Sequence, residues 1–140
     1  MENIQAILKQ YWGYTQFRPQ QEEVIKAVLE GKDVLTLLPT GAGKSLCFQV
    51  PTIYQKGICV IISPLIALMQ DQVKDLKSKK LTAVNLGGEI NAEQQEVILN
   101  DAVAGKYQFI YLSPEKLVQK SFQNFLQALT ITLFAIDEAH

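Results

Sequence analysis

Five short apolar runs, "DVLTLL", "ICVIIS", "TAVNL", "YQFIYLS" and "ITLFAID", are separated by stretches with helical periodicity. Strands that are apolar almost throughout are buried on both faces, and strands joined through helices run parallel. The alternation therefore predicts an α/β fold, a parallel sheet with helices on both faces. Ile4, Ile7 and Leu8 repeat at helical spacing; Pro19 opens a second helix through Val24, Ile25, Val28 and Leu29 that closes near Gly31. A third helix is expected from Lys44 to about Val50, and a fourth through Leu65, Leu68, Met69, Val73 and Leu76. "NAEQQEVILNDAVAG" reads as a helix started by Asn91 and stopped at Gly105, and "SFQNFLQAL" as another. "TAVNL" is the weakest strand, and the chain shows no internal repeat, low-complexity segment or linker.

The 140 residues suit one domain, burying about two-thirds of the unfolded surface. With 48% hydrophobic and 19% charged residues and a net charge of −1, the composition names no partner. Lys74, Lys77, Lys79 and Lys80 form the one basic cluster, read as the solvated end of a helix where cations suit the carbonyl dipole. Cys47 and Cys59 lie in apolar segments without metal-ligand spacing and read as small buried hydrophobes, which fits a reducing cytoplasm. The start of the chain lacks a signal-peptide pattern, and no window approaches the ~20 apolar residues that span a membrane. An intracellular protein with no membrane partner is expected.

"LLPTGAGKSLCFQ", Leu37 through Gln49, follows the first predicted strand and opens a helix. Glycines 41 and 43 let the backbone approach an anion, and the helix N-terminus offers N–H groups and a positive dipole end. Lys44 adds a charge for the outer phosphates, and Ser45 a hydroxyl able to bind magnesium. The phosphate-loop pattern G-x-x-x-x-G-K-[ST] asks for glycine at position 38, where this chain has leucine, so the loop is a variant. In "LFAIDEAH" an apolar run delivers Asp137 and Glu138 at its carboxyl end, where ligands collect in open parallel sheets. Asp137 would hold magnesium, and Glu138 would orient and deprotonate an attacking water. Loop and acids together point to a nucleoside triphosphatase.

"DEAH" with "PTGAGKS" resembles a superfamily 2 helicase core, and "YWGYTQFRPQQ" narrows the resemblance to the RecQ family. Leu8, Trp12, Gly13, Phe17, Arg18 and Gln21 match every position of that family's N-terminal motif. The resemblance implies a RecA-like lobe that binds ATP and Mg2+. In it Tyr14 would stack on adenine, Gln21 would hydrogen-bond its edge, and Arg18 would support the site. Residues 1–31 would form adenine-recognition helices, Thr40, Gly41, Ala42, Gly43, Lys44 and Ser45 would hold the phosphates, and Ser45 and Asp137 the magnesium. "SPLIALMQDQV" looks like the family's motif Ia and "YLSPEKL" like its motif Ib. Ser63, Pro64, Ser113 and Pro114 are thus candidate contacts to a DNA backbone.

The resemblance covers essentially the whole chain and implies a longer parent, a 3′-to-5′ DNA helicase of recombination and repair acting on single strands and duplex junctions. The 140 residues would then be the part of the first lobe up to the DEAH strand. Arg18 is the only arginine and belongs to the nucleotide pocket. No arginine finger remains, a device worth roughly 10³–10⁵-fold in phosphoryl transfer, so negligible ATP turnover and no unwinding are expected of these residues alone. In RecA-like lobes the next strand inserts beside the DEAH strand. Without it an exposed strand edge and apolar surface are expected, met by a rearranged sheet, an oligomer or swapped assembly, or the rest of a longer chain. The alternative function is a non-catalytic nucleotide- or DNA-binding module. A phosphate-loop kinase is disfavoured, because "DEAH" and the Tyr14–Gln21 motif have no role there.

Overall fold

The computed structural model describes residues 2–30, 46–88, 90–129 and 131–136. The chain divides into two compact units, Met1–Lys56 and Gly57–His140.

The first unit holds three helices, α1 (Glu2–Trp12), α2 (Pro19–Leu29) and α3 (Leu46–Gln55). Ile4, Leu8, Phe17, Ile25, Leu46 and Val50 are buried together as its core. α1 ends where Gly13 turns to φ +79°, a left-handed conformation that costs glycine little. The Gly13 N–H closes the helix by donating to the carbonyls of Leu8 and Lys9, at 3.1 and 3.0 Å. α2 begins at Pro19, as expected of a proline whose missing N–H would have no helical partner there.

α3 runs five residues beyond the expected end at Val50, through Pro51. A proline inside a helix removes one amide donor and crowds the preceding turn, at about 3 kcal/mol. Two features offset this. The Thr52 hydroxyl donates to the Phe48 carbonyl at 2.8 Å beside the opened turn, and every residue from Leu46 to Thr52 is buried. Packing of the whole first two turns thus overrides the local stop signal. Cys47 lies in this run, and burial pushes its thiol up to about 11, so it behaves as the inert hydrophobe expected.

The second unit is a four-stranded parallel sheet of β1 (Ile58–Ile62), β2 (Ala83–Asn85), β3 (Phe109–Leu112) and β4 (Ile131–Ile136), in the order β2-β3-β1-β4. α4 (Ile66–Ser78), α5 (Ala92–Val103), α6 (Pro114–Leu117) and α7 (Lys120–Ala128) connect the strands. One face of the sheet, through Val60, Ile62, Val84, Ile110 and Leu112, packs with Ala102, Phe122 and Phe125. On the other face the buried Tyr111 hydroxyl donates to Gln72 Oε1 of α4 at 2.7 Å. α5 starts where the Asn91 side chain accepts the Gln94 N–H at 2.8 Å, and it ends before Gly105 at φ +85°. Both caps are those the sequence predicts. The strand expected at "DVLTLL" lies outside the described residues.

α4 ends in a cap usually built on glycine. The Lys80 N–H donates to the Lys77 carbonyl and the Leu81 N–H to the Leu76 carbonyl, both at 3.0 Å, with Leu76 and Leu81 buried beneath. Lys80 itself is left-handed, at φ +66°. A side chain there costs about 1 kcal/mol, so Lys80→Gly is expected to raise the unfolding free energy by about that amount in urea titration. The lysine cluster forms this helix end: Lys74, Lys77 and Lys80 are exposed, and Lys79 pairs with Asp75 at 2.8 Å.

β4 ends the sheet among the described residues. Phe134 and Ile136 on it are 53% and 66% exposed.

Candidate functional site

Two groups of candidate residues can be located, one in each unit. In the first, the link between α1 and α2 carries Tyr14, Arg18 and Gln21. Arg18 is the residue before α2 and adopts an extended backbone, φ −67° and ψ 148°. Its N–H donates to Gln21 Oε1 at 3.0 Å, and its carbonyl accepts the Gln21 N–H at 3.0 Å. This is the half of a capping box in which the third helical residue reaches back to the start. Gln21 is consequently buried, at 4% exposure, in a fixed position, while Arg18 is exposed. Tyr14 is 60% exposed, one residue beyond the glycine that ends α1. The structure thus brings Arg18 and Gln21 together by a direct hydrogen bond and presents Tyr14 to solvent. The capping role of Gln21 was missed from sequence, although a glutamine three residues after the cap position is the signal for it.

These groups suit a purine. An exposed ring can stack on a base, and an amide both donates and accepts, as the edge of adenine does.

In the second unit, β1 and β3 are neighbours with Ile62 level with Leu112, and each is followed by Ser-Pro. The Ser63 N–H donates to the Leu112 carbonyl at 3.0 Å, continuing the ladder by one step. The two Ser-Pro corners therefore lie side by side at the carboxyl edge of the sheet. Ser63 and Ser113 are each only 1% exposed, whereas Pro64 and Pro114 are exposed. Ser63 Oγ accepts the Leu65 N–H at 3.2 Å. Ser113 Oγ is buried without any hydrogen-bond partner. The prolines contribute no N–H at all. The corners thus offer fewer donors than "Ser-Pro" suggests, and among the described residues the Ser113 hydroxyl is the buried side-chain group left without a partner. Beside them, after β2, Gly87 passes so close to Met69 that a Cβ there would lie 2.4 Å from its Cε.

Thr40, Gly41, Ala42, Gly43, Lys44, Ser45, Asp137 and Glu138 lie outside the described residues. Among the described residues no group of three or more His, Cys, Asp or Glu is arranged to hold a metal ion. No described helix is long and apolar enough to cross a membrane.

Comparison with known proteins adds a family. The model of the DEAD/DEAH box helicases matches residues 18–140. The chain belongs to the DEAD/DEAH box helicase family. This helicase-family chain is 42% identical over 135 residues to the ATP-dependent DNA helicase RecQ of Haemophilus influenzae, covering 96% of the chain and 22% of that relative. It is 40% identical over 141 residues to the probable ATP-dependent DNA helicase RecS of Bacillus subtilis, covering all of the chain and 28% of the relative. The chain therefore spans between a fifth and a third of the length of these relatives. Among solved structures, the DUF1998 helicase MrfA bound to DNA superposes with a TM-score of 0.75 over 97% of this chain and 20% of its own, at 19% identity. That likeness supports the α/β helicase-domain fold of the family.

Proposed function

We propose that this chain is the N-terminal part of the first RecA-like lobe of a RecQ-type, ATP-dependent DNA helicase, an intracellular enzyme of recombination and repair working 3′ to 5′. The observation that supports the reading most is the Arg18–Gln21 hydrogen bond beside an exposed Tyr14, in a chain about 40% identical throughout to RecQ-type relatives. Tyr14 stacks on the base, Gln21 reads its edge, and Arg18 supports the pocket. Thr40 to Ser45 cradle the phosphates, with Lys44 supplying the charge for the outer ones. Ser45 and Asp137 are the residues that would hold Mg2+, which neutralises charge on the phosphates when bound. Glu138 orients the attacking water and takes its proton. Single-stranded DNA and duplex junctions are the partners of the whole enzyme.

Fluorescent ATP analogue binding to the 140-residue chain, with and without Mg2+, tests this. Lys44→Ala is expected to abolish binding. Equal affinity in that variant and the wild type would overturn the phosphate-loop assignment.

Ser113 gives a second check. Its buried, unpartnered hydroxyl costs about 1–3 kcal/mol of desolvation. Ser113→Ala should therefore raise stability by about 1 kcal/mol in urea titration. If the hydroxyl meets a DNA phosphate, the same variant should bind a fluorescent oligonucleotide several-fold more weakly, by loss of one hydrogen bond worth about 1 kcal/mol. A gain in stability with unchanged DNA binding would remove Ser113 from the interface.

A further inference from the structure

The pairing of β1 with β4 contains an irregularity that the helicase reading does not use. Ile58 is level with Ile131, but Cys59 is level with Leu133, so Thr132 is an extra residue on β4. Its side chain is tied into the ladder, for Thr132 Oγ1 accepts the Ile58 N–H at 3.3 Å. The preceding residue, Gly57, leaves room for it: a Cβ on Gly57 would lie 1.8 Å from Thr132 Oγ1 and 2.5 Å from its Cβ. Only glycine at 57 admits the threonine in this place.

The bulge reverses the phase of everything after it. Residues level with one another on parallel strands share a face. Ile58 and Ile131 pack together against the core containing Val60 and Ile62. Beyond the bulge, Phe134 and Ile136 are level with Val60 and Ile62 and take that same face. Pairing without a bulge would set Thr132 level with Cys59 and Ala135 level with Ile62. Phe134 and Ile136 would then move to the opposite face, and the strand would advance by one residue, about 3.3 Å.

We propose that Gly57 and Thr132 form a register lock, and that Thr132 is a positioning residue for Asp137 and Glu138, which follow β4 in the sequence. The lock fixes the face that each residue from Leu133 to Ile136 takes on the sheet. The positioning role rests on the nucleotide reading above; the lock itself does not.

The test uses the 140-residue chain with two readouts. The first is thiol labelling of Phe134→Cys and of Ala135→Cys, made against native Cys47 and Cys59, which are buried. The second is the gain in ATP-analogue affinity on adding Mg2+. With the lock intact, Cys at 134 is expected to label at least about tenfold faster than Cys at 135. Gly57→Ala should collapse that ratio and remove the Mg2+-dependent gain, leaving Mg2+-free binding in place. Deleting Thr132 from the Gly57→Ala chain removes both the collision and the extra residue while preserving the downstream pairing, so it should restore both readouts. Thr132→Val, a milder change checked by circular dichroism, should narrow the ratio about fivefold, as loss of one hydrogen bond implies. Thr132→Ser should keep it. An unchanged ratio in Gly57→Ala, or a loss that the deletion does not repair, overturns the lock. Labelling in the expected order without any Mg2+-dependent gain in the wild type supports the lock and overturns the nucleotide reading it was joined to.

Discussion

Replacing Phe122 with alanine is expected to lower the unfolding free energy of the chain by about 3–5 kcal/mol, read as a shift in the urea midpoint at constant slope. Phe122 is fully buried in the core between the sheet and α7. Its ring meets Phe125 edge to face at 6.2 Å, and the Lys116 ammonium lies 5.3 Å from its centre. The loss combines the transfer energy of the ring with the cavity left in the core it shares with Ile110 and Leu112 of β3 and Phe125 of α7, which cannot fully collapse into it. Lys116→Ala, which removes only the cation from the ring, should cost about 0.5–1 kcal/mol. A Phe122→Ala effect as small as that would mean that α7 packs more loosely than described.

The second large effect concerns the proposed purine site. Tyr14→Ala is expected to weaken ATP-analogue binding by about 5–150-fold, the range that 1–3 kcal/mol of base stacking implies. Because Tyr14 is mostly exposed, stability should not change. Gln21→Ala should weaken binding by a similar factor and also destabilise the chain by about 1 kcal/mol, since the side chain holds the start of α2. The contrast between the two variants separates recognition from folding. A Tyr14→Ala chain that binds ATP normally would remove the stacking role.

Much of the fold could be read from the sequence, for local reasons. Pro19, Asn91 and Gly105 act within a turn of themselves, so the start of α2 and both ends of α5 fall where those residues predict. Apolar runs likewise gave β1, β3 and β4. Where outcomes depend on distant packing, local signals fell short. α3 continues through Pro51 because its first seven residues are buried. The left-handed turn at Lys80 carries no glycine to announce it. The four-residue α6 is too short for a periodic signal. At the candidate site, Tyr14, Arg18 and Gln21 were pointed to by the resemblance to the RecQ motif and by nothing else in the sequence, and the hydrogen bond fixing Gln21 was not legible. The burial of Ser63 and Ser113 was hidden for a similar reason: a serine after a strand looks the same in sequence whether its hydroxyl faces water or a neighbouring strand. The bulge at Thr132 depends on a partner 74 residues away and has no sequence signature of its own.

The hydrogen bond from Tyr111 to Gln72 has a mechanical consequence. α4 follows the first Ser-Pro corner and β3 ends in the second, so this bond ties the element behind one corner to the element beneath the other. The ladder bond from Ser63 to Leu112 joins them again at the tip. The two corners therefore behave as the jaws of a caliper set to one width, about 4.8 Å from strand to strand. A ligand spanning them would be gauged against a fixed gap, and a push on either jaw would be felt at once by the other.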